Sequence, residues 1–176
     1  MNFYIIGLPR SRSKWFSELL TYDTSVCYHE RLFQKPAFIK QALPNIGGID
    51  YVGTADTNPL YFDAKLVGDS PTIIVRRNLS ASIESYTRTF APHSDPTELL
   101  TAMKKALTEI EVDNQLVVDF ENLNDINVIN SIIEFVTPNI VMPKERILKL
   151  MDTDIVVNPN MNVFAEQHTL FSHIKT

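Results

Sequence analysis

Cysteine is nearly absent from this chain, which holds Cys27 alone among its 176 residues. No disulfide can therefore form within the chain, and a zinc site built from cysteines is excluded. Long apolar runs are missing as well, and the N-terminus lacks the basic-then-apolar layout of a signal peptide. We therefore expect a cytoplasmic protein without a membrane partner.

Positive charge is scarce, with 16 lysines and arginines against 21 aspartates and glutamates and a formal net charge of -5. A general nucleic-acid binder usually carries a basic surface, so this class of partner is disfavoured. The hydrophobic fraction of 44% and the charged fraction of 21% are typical of a soluble globular protein. The length fits one domain, which we predict over residues 1–157, with a docked or partly disordered tail over residues 158–176.

Strand-like and helix-like segments alternate along the chain. Short apolar, β-prone runs predict strands over residues 3–6, 25–28, 49–54, 72–75 and 116–120. Helical spacing and capping signals predict helices that begin near residues 11–13, over 36–43 and 80–90, from Pro96 with Asp95 as its N-cap, and over 126–136 and 144–151. This alternation implies right-handed crossovers and a parallel sheet covered by helices on both faces. Ligands of such sheets bind beyond the carboxyl ends of the strands.

The segment from Tyr4 to Trp15, YIIGLPRSRSKW, is the most informative part of the chain. An apolar strand runs into a turn with glycine and proline, and a helix follows. The first amide groups of a helix lack partners within it, and its dipole is positive there, so a phosphate or sulfate fits. Arg10 adds a planar fork of donors and Lys14 a point charge, both suited to oxyanions. The alternative is an ordinary strand-turn-helix corner whose basic side chains are solvated.

The loop differs from the phosphate-binding signature of ATPases, G-x-x-x-x-G-K-[ST], when counted from Gly7. Arg12 stands where that signature has its second glycine, Ser13 where it has lysine, and Lys14 where it has the magnesium-binding hydroxyl. A cation cannot ligate magnesium, so Lys14 argues against a kinase that uses Mg-ATP. The run Leu116–Asp119 has the apolar form of a Walker B strand with a final aspartate, and it keeps that alternative open.

A second strand, basic turn and helix are predicted in residues 73–86, IIVRRNLSASIESY. Arg77 comes at the carboxyl end of the strand, and Ser85 follows about two helical turns later on a similar side. Two strand ends that each carry arginine suit a ligand with two separated anionic groups. The alternative is that Arg77 pairs with a carboxylate and that Ser85 lies on the helix surface.

Together these segments resemble the sulfotransferase family, whose members use 3′-phosphoadenosine 5′-phosphosulfate on a P-loop kinase-like fold. The first segment is similar to the family's phosphosulfate loop, P-[KR]-S-G-T-T-W, in which Arg12 and Lys14 replace a glycine and a hydroxyl residue. The second is similar to the family's 3′-phosphate motif, and Val118–Leu123 resembles its Y-E-D-L segment. The matching residues are Arg10, Ser11, Ser13 and Trp15 in the first segment and Arg77, Asn78 and Ser85 in the second. The loop GLPRSRS with Cys-Tyr-His-Glu downstream looks most like small sulfotransferase-like proteins of phages and bacteria.

This resemblance implies a three-layer α/β/α sandwich of the P-loop NTPase type with a mainly parallel central sheet. It also implies sulfuryl transfer from 3′-phosphoadenosine 5′-phosphosulfate, without a metal, to a hydroxyl or amine of a small-molecule, glycan or peptide acceptor. The residues implied to bind this donor are Pro9, Arg10, Ser11, Arg12, Ser13, Lys14, Trp15, Arg77 and Ser85. The acceptor and the oligomeric state stay open, and a Mg-ATP kinase and a non-catalytic nucleotide-binding module are the alternatives.

Transfer to an acceptor requires a base, and His29-Glu30 follows the first helix where the chain can return toward the loop. His29 has the better intrinsic pKa for proton transfer at neutral pH. In the protein-tyrosine sulfotransferase branch a glutamate at a similar distance from the loop is the base, and this resemblance favours Glu30. Neighbours on an extended segment point oppositely, so we expect only one of the two to face the site. A surface pair is the alternative.

Arg10 and Lys14 are the other predicted catalytic residues, since a cation can stabilise charge on the 5′-phosphate that departs. Asp56 follows a predicted strand, and both substrate binding and a simple turn fit its surroundings in the sequence.

Overall fold

The computed structural model describes residues 1–30, 46–90 and 95–153 of the chain. Its strands are β1 Asn2–Gly7, β2 Ser25–His29, β3 Tyr51–Asp56, β4 Thr72–Arg76 and β5 Gln115–Asp119. They form one sheet in the spatial order β2-β3-β1-β4-β5, and each neighbouring pair is parallel. Strand β1 is therefore central, and the loop that follows it lies between the carboxyl ends of β3 and β4.

Helices cover both faces of this sheet. They are α1 Ser13–Leu20, α2 Ala64–Val67, α3 Leu79–Phe90, α4 Thr97–Thr108, α5 Ile126–Val136 and α6 Lys144–Met151, with 3₁₀ turns at Pro59–Tyr61 and Phe120–Asn124. Apolar residues of α1, α5 and α6 share one core with one face of the sheet. Residues of α3 and α4 share another core with the opposite face. This arrangement confirms the predicted three-layer α/β/α fold class with a parallel sheet.

The central strand shows why the sequence folds in this way. Phe3 and Ile5 of β1 pack in the core that contains α1, whereas Ile6 packs in the core that contains α4. Since successive side chains of a strand point to opposite faces, a strand buried on both faces favours a near-continuous run of apolar residues. The uninterrupted run of apolar residues in β1 therefore follows from its central position.

Most predicted elements occur close to their predicted bounds. The helices over 126–136 and 144–151 match, whereas β3 begins and ends two residues later than predicted. Helix α4 begins at Thr97 instead of Pro96, and the carboxylate of Asp95 accepts a hydrogen bond from the Thr97 backbone N–H at 2.9 Å. The predicted helix over 36–43, the domain boundary at residue 157 and the tail lie outside the described residues. No helix in the described ranges is long and apolar enough to cross a membrane.

Candidate functional site

The loop between β1 and α1 folds tightly against the end of the sheet. A Cβ added at Gly7 would lie 3.0 Å from the Cβ of Ser11, so glycine allows the chain to turn back without displacing a neighbour. The Ser11 backbone N–H donates to the Leu8 carbonyl at 3.1 Å. Arg10 and Arg12 have φ angles of 70° and 64°, a left-handed conformation that is unfavourable for residues other than glycine. Such strained turns cluster at sites where the chain binds a ligand.

The start of α1 presents hydrogen-bond donors to this loop. The helix begins at Ser13, and its N-cap residue Arg12 contributes no side-chain bond to the first amide groups. The hydroxyl of Ser11 is buried and has no hydrogen-bond partner among the described residues. A buried polar group without a partner is unfavourable, and the positive end of the helix dipole lies beside it. An anion at this position would accept a hydrogen bond from the Ser11 hydroxyl and interact favourably with the helix dipole.

The second predicted anion site meets the first. Arg10 Nε donates to Ser85 Oγ at 3.2 Å, and the guanidinium of Arg77 donates to the Arg10 carbonyl. Ser85 is buried on α3, and Arg77 follows β4 directly. The structure therefore brings together Arg10, Arg77 and Ser85, which the sequence placed on two separate strand-turn-helix segments. That these residues bind a ligand stays a prediction.

Positive charge is concentrated around Arg77. Burial lowers the pKa of Arg77, and the neighbouring charges of Arg10, Arg12 and Arg88 lower it further, while Glu121 opposes them. The Nε of Arg77 is buried and has no partner in the described part of the chain. A phosphate or sulfate would relieve the repulsion between these cations and accept a hydrogen bond from the Nε of Arg77.

The polar groups of Arg12 and Trp15 donate to backbone and side-chain oxygens near the C-terminal side of the described chain. Arg12 donates from its two terminal nitrogens to the Leu123 carbonyl at 3.0 Å and to Asn124 Oδ1 at 2.9 Å. The Trp15 indole is 3% exposed and donates to the Leu150 carbonyl at 2.8 Å. The structure therefore places the Trp15 ring in the core, with the Arg12 guanidinium 5.6 Å from its centre. Ligand binding by either side chain stays a prediction.

The predicted base residues lie on the other side of the same loop. Ser13 Oγ is 3.0 Å from His29 Nε2, and His29 Nε2 is 3.6 Å from Glu30 Oε1. The Thr57 hydroxyl donates to the same Glu30 oxygen at 2.7 Å. We call Ser13, His29, Glu30 and Thr57 the His29–Glu30 cluster. Lys14 is close to it and forms an ion pair of 3.0 Å with Glu18.

The expectation that the side chains of His29 and Glu30 point in opposite directions is wrong, and which of them faces a bound ligand stays a prediction. Both side chains belong to the cluster, because Glu30 has a φ of 51° and leaves the extended conformation of β2. Opposite directions of neighbouring side chains apply only while the strand continues. The sequence gives no signal for this turn, since glutamate rarely adopts a positive φ.

Burial changes the proton affinities of these two residues in opposite directions. It lowers the pKa of His29 to about 4, with a further contribution from the positive charge of Lys14. It raises the pKa of Glu30, although hydrogen bonds from Thr57 and Ser13 partly oppose this. His29 is therefore neutral at pH 7 and a weak base, whereas Glu30 is a stronger base than an exposed glutamate.

The end of β3 contributes polar residues that the sequence analysis left undecided. Thr54, Asp56, Thr57 and Asn58 are all buried, and Asp56 lies opposite Ile6 of the neighbouring strand β1. Their signal in the sequence is a group of polar residues at and just after the end of a mainly apolar strand. Asp119, by contrast, ends the edge strand β5 and is exposed. Asp56 therefore lies on a strand next to β1, whereas Asp119, the last residue of the Walker B-like run, lies on a strand that does not pair with β1. Within the described ranges no three His, Cys, Asp or Glu residues form a cluster that could hold a metal.

Comparison with known proteins identifies relatives by structure only. No protein-family model matches the chain, and no curated protein matches its sequence. The mouse sulfotransferase SULT7A1 complexed with PAP is similar with a TM-score of 0.52 and 12% identity, over 85% of this chain and 62% of that one. The chain thus spans less than two thirds of that relative.

A second solved structure is the sulfotransferase domain from the curacin biosynthetic pathway. It is similar with a TM-score of 0.57 and 14% identity, over 86% of this chain and 78% of that one. At such identities the similarity establishes the fold and not the activity. The chain therefore has the fold found in these sulfotransferases.

Proposed function

We propose that this protein transfers a sulfuryl group from 3′-phosphoadenosine 5′-phosphosulfate to a hydroxyl or amine of an acceptor. The observation that carries the proposal is the hydrogen bond of 3.2 Å between Arg10 Nε and Ser85 Oγ, which joins the two predicted anion sites. The sulfotransferase fold and the complex of SULT7A1 with PAP support it.

The residues present fit this donor. The amide groups at the start of α1 and the unpartnered hydroxyl of Ser11 would hold the 5′-phosphosulfate. Arg77, with an unpartnered Nε, and Ser85 would hold the 3′-phosphate. When bound, the donor supplies an activated sulfuryl group, and the surrounding arginines balance its charge.

Glu30 is the base in this proposal. Its side chain is 27% exposed, whereas that of His29 is 8% exposed, so Glu30 is more accessible to an acceptor. Its raised pKa increases its basicity, while His29, with a pKa of about 4, would hold a proton weakly. Glu30 would accept the proton of the acceptor's hydroxyl as the oxygen attacks sulfur. Arg10 and Lys14 would stabilise the negative charge that develops on the departing 5′-phosphate.

A kinase that uses Mg-ATP is the second candidate, and one observation favours it. Asp56 lies buried at the end of the strand beside β1, where a carboxylate could serve a magnesium ion near the loop. Against it, Lys14 occupies the position of the magnesium-binding hydroxyl and pairs with Glu18. A non-catalytic nucleotide-binding module would share the donor site without turnover.

A thermal-shift panel with 3′-phosphoadenosine 5′-phosphate, ATP and GTP, each nucleoside triphosphate with and without magnesium, tests the proposal. A ligand at about 100 times its Kd stabilises the folded state by roughly 2.7 kcal/mol. At about 2 to 4 °C per kcal/mol for this chain length, the bisphosphate should raise the Tm by several degrees. A response to Mg-ATP without a response to the bisphosphate would contradict the proposal.

A variant of the second anion site is the matched control for this panel. Arg77→Ala should abolish the preference for the 3′,5′-bisphosphate over 5′-AMP, since it removes a charged hydrogen bond worth about 1.5 to 3 kcal/mol. Arg10→Ala should weaken both ligands. Equal losses for both ligands in Arg77→Ala would remove the assignment of the 3′-phosphate to this residue.

A further inference from the structure

The side chain of Arg12 links the phosphate-binding loop to a distant part of the chain. Its fork donates to the Leu123 carbonyl and to Asn124 Oδ1, both in the 3₁₀ turn Phe120–Asn124 that follows β5. The guanidinium also lies 5.6 Å from the centre of the Trp15 ring and 5.5 Å from that of Phe120. Two directed hydrogen bonds and two ring faces fix the position of this group.

These contacts offset an unfavourable backbone conformation. Arg12 has a φ of 64°, a region that glycine adopts freely and arginine does not. The family loop that this segment resembles has glycine at the corresponding position. An arginine here is unfavourable unless its side chain gains more than the backbone loses, and its bonds to the turn supply that gain.

The same turn also contacts the second anion site. The Arg77 guanidinium lies 4.1 Å from the centre of the Phe120 ring and donates to the Arg10 carbonyl. The Phe120 ring therefore contacts the guanidinium groups of both Arg12 and Arg77. The loop is held at Arg10 by Arg77 and at Arg12 by the turn, on the two sides of Ser11.

We infer that Arg12 is a positioning residue, which braces the loop against Leu123 and Asn124 and so holds the anion-binding amide groups in place before a ligand arrives. A preorganised site binds more tightly, because less conformational freedom is lost on binding. The identity of the anion rests on the proposed function, whereas the brace itself does not.

Amide hydrogen exchange in the ligand-free protein tests the brace without any assumption about the ligand. The amides of Ser11 and Phe16 report on the loop, since they donate to the carbonyls of Leu8 and Arg12. Arg12→Gly keeps the left-handed backbone accessible but removes the brace. Exchange at both amides should become about tenfold faster or more, as expected for the loss of a hydrogen bond from a charged group.

Variants of Asn124, the partner of Arg12, distinguish a bracing role of Arg12 from direct contact with a ligand. Asn124→Ala should accelerate hydrogen exchange at the same two amides, whereas Asn124→Asp, which keeps an acceptor oxygen, should leave exchange slow. Exchange in the double variant Arg12→Gly/Asn124→Ala should be only slightly faster than in Arg12→Gly, because both changes remove the same contact. Lys105→Ala, which removes an exposed charge on α4, is the matched control and should leave exchange unchanged. Additive effects of Arg12→Gly and Asn124→Ala, or unchanged exchange in Arg12→Gly, would overturn the inference.

Calorimetry with 3′-phosphoadenosine 5′-phosphate completes the test. Arg12→Gly and Asn124→Ala should both weaken binding, although Asn124 is a partner of Arg12 and not of the proposed ligand site. Weaker binding in Arg12→Gly with normal loop exchange would make Arg12 a ligand contact and refute the brace. If the wild-type chain does not bind the bisphosphate, the proposed function fails, and the exchange data still decide on the brace.

Discussion

His29 and Glu30 show how burial divides roles between neighbouring residues. When both side chains are fully exposed to water, histidine is the better base near pH 7. In the His29–Glu30 cluster, burial disfavours the charged form of both, so the pKa of the histidine falls and that of the glutamate rises. Intrinsic pKa alone favours His29 as the base, whereas the buried surroundings favour Glu30, the base of the proposal.

Removal of the proposed base should reduce turnover without weakening the binding of the sulfuryl donor. We expect Glu30→Gln to lower kcat about 10²- to 10⁴-fold while the affinity for 3′-phosphoadenosine 5′-phosphate stays nearly constant. The wild-type rate should rise with pH through the raised pKa of Glu30, because only the carboxylate accepts a proton. This limb of the profile should vanish in Glu30→Gln. Hydroxyl and amine compounds with labelled donor provide the assay.

His29→Gln is the matched control, since its amide nitrogen can occupy the position of Nε2 beside Ser13. It should retain more activity than Glu30→Gln and keep the pH profile. Near-normal turnover in both variants would place the base elsewhere.

At the scale of elements, the strands and helices were predictable and the turns between them were not. Apolar runs and capping residues gave the five strands and the helices over 126–136 and 144–151. The candidate site, however, includes Arg10, Arg12 and Glu30, three of the four non-glycine residues with positive φ in the described ranges. No local propensity favours arginine or glutamate in that conformation. Tertiary contacts stabilise it, and such contacts cannot be read from spacing.

The contact between β3 and β1 depends on a glycine. A Cβ added at Gly53 would lie 2.1 Å from the ring of Phe3, which is fully buried. Gly53→Ala should therefore destabilise the fold by about 1 to 3 kcal/mol through overpacking. Urea denaturation measures this change, and Gly47→Ala is the control, because nothing lies within 4 Å of a Cβ there. Phe3→Leu in the Gly53→Ala background should recover part of the loss, and equal stabilities of the two alanine variants would contradict this account.

For the whole molecule, the parallel sheet brings distant segments to one edge. The alternation of strands and helices predicted this arrangement, together with the meeting of the two basic segments. It did not predict that Asp56 would lie beside β1 while Asp119 ends an edge strand. Strand order is set by crossovers and by the packing of both faces, so the neighbours of β1 become known only from the assembled fold.

The stability of the whole molecule should depend on pH through His29. Its pKa is about 4 in the folded protein against 6.5 as the ordinary value, so the unfolded chain binds a proton first as the pH falls. His29 therefore contributes stability that is present above pH 6.5 and lost toward pH 4, by at most about 3 kcal/mol at 1.36 kcal/mol per pH unit. The raised pKa of Glu30 acts in the opposite direction, but Glu30 is present both in wild type and in His29→Gln. The free energy of unfolding of the wild type, minus that of His29→Gln, should thus decrease from pH 7 to pH 4 in urea denaturation. A difference that stays constant over this range would show that His29 is not buried as a neutral side chain.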